Sequence, residues 1–152
     1  MACSGLKQSN VKLMNQSHNP TIKILDMALQ INNYVKKVSW GTEGQKITLK
    51  MGIHYGKVIA GVIGHHKPQF SLIGDTVNTT SRVCSTSETG FITLSEEAYL
   101  QVKDSFQLYE FKLRNVEAKG KGELHTYQVI TAPHSAIGRK MSFFYKFLFF
   151  FM

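Results

Sequence analysis

The dipeptide Asn19-Pro20, followed by Ile24, Met27, Ala28, Ile31 and Val35, constrains the fold of this chain more than any other feature. Asparagine caps a helix by accepting from a free backbone N–H, and proline is pre-shaped for the first helical position. The apolar residues then recur at helical spacing, which predicts a helix from about residue 20 to 38 with one face that must be buried. What buries it is set downstream. After the two-glycine loop SWGTEGQ (39–45), Ile47, Leu49, Met51 and Ile53 alternate with Thr48, Lys50, Gly52 and His54. That period of two is the mark of a half-buried strand.

The rest of the chain repeats this mixture. Tyr55 and Gly56 read as a turn into the apolar run KVIAGVIG, so the two segments are expected to form a β-hairpin. FSLIG is a further strand, GDTVNTTSR opens a helix at an Asp that resembles an N-cap, and FITL is another strand. Ser95 and Glu97 open a short helix that ends near Val102. FQLYEFKL and LHTYQVI are final strands, joined by the polar RNVEAKGKGE. The order predicts an α+β fold, a layer of helices on a sheet.

Composition narrows the function classes. Hydrophobic content of 43% and charged content of 18% are those of a globular protein, and 152 residues suit one domain. The formal charge of +8 fits nucleic acid, an anionic surface or a polyanionic small substrate. The lysines are scattered without interleaved aromatics, which argues against nucleic acid. Cys3 and Cys84 make neither a disulfide framework nor a zinc site, so a reducing compartment is expected. No secretory signal opens the chain. Residues 132–152 form a basic, then apolar and aromatic tail ending MSFFYKFLFFFM. Arg139 and Lys140 before it suit the start of a membrane segment, and an artefact is the other reading.

GKVIAGVIG fits neither GxGxxG nor GxxxxGK[ST], and adjacent His65 and His66 lack ligand companions. The GDTVNTTSR helix is more informative. Thr76, Val77, Thr79 and Thr80 are mediocre helix formers, yet Asn78 and Arg82, four apart, share one face. Val77, Thr80 or Ser81, and Cys84 form the stripe expected to face the core. An amide beside a guanidinium is a donor set matched to an oxyanion, although spacing alone fits a solvated face with a surface arginine better. KGKG places Lys119 in a turn between strands, where surface lysines are common.

Taken in order, MACSGL, KILDMALQI, KMGIHYGKVIAGVIG, KPQFSLIGDTVNTTSRVCST, FITLSEEAY and VEAKGKGELHTYQV resemble the class III nucleotidyl cyclases, the adenylate and guanylate cyclases. KPQFSLIGDTVNTTSR is similar to the cyclases of ciliates and apicomplexans in particular. The resemblance covers residues 1–131 and implies the ferredoxin-like cyclase palm, an antiparallel-rich sheet with helices packed on it, incomplete at its N-terminus. It implies attack of a ribose 3′-hydroxyl on the α-phosphate of a nucleoside triphosphate, giving a cyclic nucleotide and pyrophosphate for intracellular signalling. Catalytic roles fall to Asn78, orienting the ribose, and Arg82, stabilising charge at the α-phosphate. Substrate binding falls to Lys119 on the terminal phosphates, to Ser71 at a base-reading position, and to Lys57 where some members place a phosphate-contacting Arg. The family works as dimers of catalytic domains.

Two departures qualify these expectations. Serine at position 71, seven residues before Asn78, suits either purine, so ATP and GTP both stay open with a lean to GTP. The Mg²⁺ or Mn²⁺ cofactors imply aspartates that are expected upstream of residue 1 or on a partner; Asp75 is no substitute, and no metal ligand is assigned. The chain alone is therefore expected to be inactive and to pair with a second cyclase domain, on the cytoplasmic side of a membrane within a parent protein or free in the cytoplasm. The alternative is a non-catalytic partial cyclase domain that pairs with or regulates a complete cyclase.

Overall fold

The computed structural model describes residues 1–6, 19–39, 44–105 and 109–131. The tail 132–152, residues 7–18, part of the SWGTEGQ segment and the first residues of FQLYEFKL lie outside them. The first helix, α1 (Pro20–Lys37), begins as expected: the Asn19 side chain accepts from the Thr21 N–H at 2.9 Å and proline occupies the first turn. Its buried face carries Thr21, Leu25, Ala28 and Val35, while Lys36 and Lys37 sit favourably at the negative end of the helix dipole.

Strands β1 (Met51–Ile53), β4 (Ile92–Ser95), β5 (Glu110–Ala118) and β6 (Gly122–Thr131) form one sheet in the order β1-β4-β6-β5. β1 runs parallel to β4, and β6 is antiparallel to both β4 and β5. On one face Ile53, Ile92, Leu94 and Val129 join Leu25 and Ala28 of α1, and Ala98 and Val102 of the short helix α3 (Glu96–Val102), in the apolar core. Ser95 caps α3 by accepting from the Ala98 N–H. Tyr109 is buried beside this core and its hydroxyl donates to Asp26 of α1. Burial pushes the Asp26 carboxyl up, against the opposing effect of that hydrogen bond.

The other face is polar and carries helix α2 (Asp75–Thr86). Thr93 pairs with Gly52 on one neighbouring strand and Gln128 on the other, and its hydroxyl donates to Ser87 just beyond α2. Gly52 is required here: a Cβ at this position would stand 2.3 Å from the Cys84 backbone nitrogen, so helix and strand pack backbone to backbone.

The α+β expectation is met, but pairing differs from the sequence reading in three places. The expected hairpin between 47–53 and KVIAGVIG does not form. β2 (Ile59–Ile63) pairs instead with β3 (Gln69–Ile73) in a separate two-stranded ribbon, with Gly61 opposite Ser71. The reason is burial: Ile53 is needed beside Leu94 in the core, which the parallel pairing delivers, while the intervening ribbon and α2 serve as the crossover that parallel strands require. Within 47–53 only Met51–Ile53 joins the ladder, and Ile47 is exposed. Finally, the segment read as the linker RNVEAKGKGE is mostly strand, with a tight turn at 119–121 where the Lys121 N–H donates to the Ala118 carbonyl at 2.9 Å.

Candidate active site

α2 is capped by Gly74, not by Asp75. Gly74 is the cap residue at φ 146, and a Cβ there would press on the Lys57 carbonyl oxygen at 3.3 Å. Asp75 occupies the first helical position, where a carboxylate complements the positive end of the dipole. Thr76 ties the same end down by donating to the Lys57 carbonyl at 2.6 Å.

The threonine-rich composition has a local explanation. Thr79 donates to the Asp75 carbonyl at 3.0 Å, Thr80 to the Thr76 carbonyl at 2.7 Å and Thr86 to the Arg82 carbonyl at 3.0 Å. Each hydroxyl is thus satisfied within the helix, so short side chains can lie against a polar sheet face without stranded donors. The buried residues are Thr79 and Val83, whereas Val77, Thr80 and Cys84, expected to face the core, are half-buried. Close packing over Gly52 rotates the helix by about one position from that expectation.

The C-terminal end is held by a charged network. Glu88 accepts from Gln128 Nε2 at 3.0 Å and pairs with Arg114 Nη2 at 3.0 Å, and Thr126 donates to the Arg114 carbonyl at 3.0 Å. The Gln128 hydrogen bond, then the Arg114 charge, keep the Glu88 carboxyl below its usual range. At the N-terminal end Lys121 Nζ reaches Asp75 Oδ2 at 2.5 Å. That hydrogen bond holds the Asp75 carboxyl below the ordinary carboxylate range.

Between these anchors Asn78 and Arg82 stand on the exposed face of α2. Lys119 is exposed at the hairpin turn, two residues from the Lys121 that touches α2. Lys57 is exposed and meets α2 through its backbone carbonyl. Ser71 is half-buried in the middle of β3, on the ribbon that leads into α2. The structure therefore gathers Asn78, Arg82, the Lys119 turn and the Lys57 backbone around one helix. Of the anchoring residues, Asp75 was legible only as a helix cap and Lys121 only as part of the KGKG turn, while Glu88 and Arg114 had no distinguishing sequence pattern. A hollow of about 300 Å³ is lined by Asn115, Val116, Glu117 and Glu123, and one of about 130 Å³ lies between α1 and β4 and β6. Neither includes Asn78 or Arg82, and both of these residues are exposed.

Beyond β1, the His54 side chain is 8% exposed, with Nδ1 2.8 Å from Ser95 Oγ and 3.4 Å from Glu97 Oε2. Burial pushes its pKa down, outweighing the opposite pull of the Glu97 and Asp75 carboxylates. Among the described residues no group of three or more His, Cys, Asp or Glu side chains could hold a metal ion.

Residues 1–131 match the model of the adenylate and guanylate cyclase catalytic domain. The chain belongs to this family. A guanylate cyclase of Toxoplasma gondii is 49% identical over 91 residues, which are 60% of this chain and 2% of that protein. The guanylate cyclase domain of RhGC from Catenaria anguillulae, solved in complex with GTP, superimposes with a TM-score of 0.68 at 31% identity, over 81% of this chain and 64% of that one. A guanylyl cyclase domain of the RhoGC fusion protein from Blastocladiella emersonii, described as dimeric, gives a TM-score of 0.60 at 31% identity over 75% of this chain and 60% of that one. The cyclase palm fold is therefore established. The chain spans under two thirds of these cyclase domains and a small fraction of the Toxoplasma protein.

Proposed function

We propose that this chain supplies the sugar- and phosphate-gripping half of a nucleotidyl cyclase centre that converts GTP, in preference to ATP, to a cyclic nucleotide and pyrophosphate. The observation that carries the reading is the helix α2 itself. It is fastened at both ends, and it presents Asn78 and Arg82 together on an open face beside the lysine turn. In the reaction the ribose 3′ oxygen forms a bond to the α-phosphorus and loses its proton, while the bond to the bridging oxygen breaks and pyrophosphate leaves. Asn78 orients the ribose, Arg82 neutralises charge building on the α-phosphate, and Lys119 holds the terminal phosphates. Catalysis of this kind is mostly positioning and charge stabilisation, which a rigidly mounted helix provides. Ser71 reads the base edge, and Lys57 is a further contact for the phosphates. The preference for GTP is supported by the guanylate cyclase relatives and by the GTP bound to the Catenaria domain.

The described residues do not furnish a metal site. The Mg²⁺ or Mn²⁺ of the family reaction belongs to ligands outside them, on a preceding segment or a partner. An open half-site needs a second wall. The β2–β3 ribbon supports its docking, because Ile59, Val62 and Phe70 are 74%, 68% and 62% exposed among the described residues, on a ribbon separate from the main sheet. The partner is a second cyclase catalytic domain. No described helix is long and apolar enough to cross a membrane. We place the domain on the cytoplasmic side of a membrane through its parent protein, as the basic residues before the apolar tail suggest.

The test mixes this chain with a complete cyclase domain whose own helix arginine has been replaced by alanine. The chain alone should be inactive and the mixture should make cyclic GMP. Arg82→Ala in this chain should lower the rate on the order of 10² to 10³. Equal activity with and without Arg82 removes the catalytic role. A mixture that never exceeds the altered domain alone favours the other reading, a partial domain that only pairs with or regulates a cyclase.

A further inference from the structure

We infer that Asp75 and Lys121 are positioning residues: their ion pair fixes the hairpin turn to α2 and thereby sets where Lys119 meets the terminal phosphates of the nucleotide. The inference rests on the phosphate-holding role proposed above for Lys119.

The turn is closed on itself by the bond from the Lys121 N–H to the Ala118 carbonyl, and what has to be fixed is its position relative to α2. β5 and β6 form a two-stranded extension toward their tip, and Gly120 and Gly122 both adopt positive φ, at 77° and 72°. Nothing lies within 4 Å of a Cβ built on either glycine, so no neighbour packs on the two glycines themselves. Such a tip, rich in backbone freedom, samples many positions unless it is tethered. The tether is Lys121, which is 28% exposed at its side chain and reaches across 46 residues of sequence to the first residue of α2. From Asp75 to Asn78 is less than one helical turn, a rise of about 4.5 Å. The same ion pair therefore locks the lysine turn and the amide-bearing end of α2 into one unit.

The pair also divides labour between two similar lysines. Lys121 has its charge compensated by Asp75, a carboxylate further restrained by the Thr79 hydroxyl at 3.4 Å. Lys119 forms no ion pair among the described residues and keeps its charge for an anion. Without Asp75, both lysines would be free, and either could take the phosphates from a poorly defined position.

Exposed ion pairs are weak, so the expected effect is a modest, selective loss. The experiment uses the full 152-residue chain with the arginine-deficient cyclase domain and measures binding of guanylyl imidodiphosphate and of GMP. Asp75→Asn and Lys121→Gln should each weaken triphosphate binding by about three- to fivefold and leave GMP binding unchanged. The double variant should be no worse than either single one, and Lys121→Arg should retain full binding. A merely structural role would lower thermal stability without separating triphosphate from monophosphate. The inference falls if Asp75→Asn binds both nucleotides like the parent while Lys119→Ala loses triphosphate binding. If Lys119→Ala changes nothing, the role given to Lys119 has failed, and the inference fails with it.

Discussion

The backbone contact between α2 and β1 can be tested by a single methyl group. At Gly52→Ala the new Cβ would lie 2.3 Å from Cys84 N, 2.6 Å from Cys84 Cα and 2.8 Å from Cys84 Cβ, where ordinary contact begins at 3.4 Å. The shortfall is about 1 Å, and the opposing atoms are mostly backbone, so no flexible side chain can swing aside. α2 must lift, and its fastenings at Asp75 and Glu88 resist. Overpacking of this kind costs about 1–3 kcal/mol, which corresponds to a urea midpoint lower by roughly 1 M. The lift also carries Asn78 and Arg82 about 1 Å from their working positions, a displacement that can cost on the order of 10² in rate. Urea unfolding followed by circular dichroism gives the first quantity, and cyclic GMP formation by the mixture with the arginine-deficient domain gives the second. Gly61→Ala is the control for the unfolding measurement, since nothing lies within 4 Å of a Cβ there and its φ is not positive. If Gly52→Ala unfolds at the same urea concentration as the parent and keeps its turnover, α2 does not rest on β1 as described.

Further outcomes follow from the other contacts. Because the folded pKa of His54 lies below its ordinary value of 6.5, the unfolded chain binds the proton more readily, and stability should fall as pH drops from 6.5 toward the folded pKa. Melting temperature measured between pH 7.5 and about 5 should show that slope, and His54→Asn should flatten it; an unchanged slope would assign the acid sensitivity to other groups. Glu88→Ala breaks both contacts made by Glu88, to Gln128 and to Arg114, and leaves the Arg114 guanidinium, whose Nη1 already lacks a partner, without its carboxylate. Thermal unfolding should come at lower temperature than in Lys119→Ala, an exposed change outside that network, and parity between the two would refute the anchor. Val62→Asp with Phe70→Asp should abolish association with the complete cyclase domain in sedimentation velocity while leaving the far-ultraviolet dichroism of the chain intact; undiminished association would move the interface off the ribbon.

What the sequence disclosed, and what it withheld, follows from the range of the interactions involved. α1 and α3 were legible because their caps are local: Asn19 bonds two residues on and Ser95 three residues on. The pairing of β1 was not, because alternation in 47–53 says that a strand is half-buried but not which neighbour buries it. A nearby apolar run looked like a hairpin partner, and the actual partner, Ile92–Leu94, lies beyond a ribbon and a helix. The buried stripe of α2 was displaced for a related reason. Hydrophobicity pointed to Val77 and Cys84, but a glycine on the facing strand draws the backbone in and favours small, self-satisfied hydroxyls beneath it.

The site divides along the same line. Asn78 and Arg82 were recognisable as neighbours because a helix places i and i+4 together whatever it packs on. Their relation to the KGKG turn was invisible, since Asp75 and Lys121 are ordinary residues until the fold closes the distance between them. Asp75 reads as a helix cap in sequence, yet the cap is Gly74 and the aspartate is freed to receive a lysine from the far hairpin. A helix made of poor formers thus becomes a rigid mount because long-range bonds fix both of its ends, and propensity within the helix has little say in where Arg82 points.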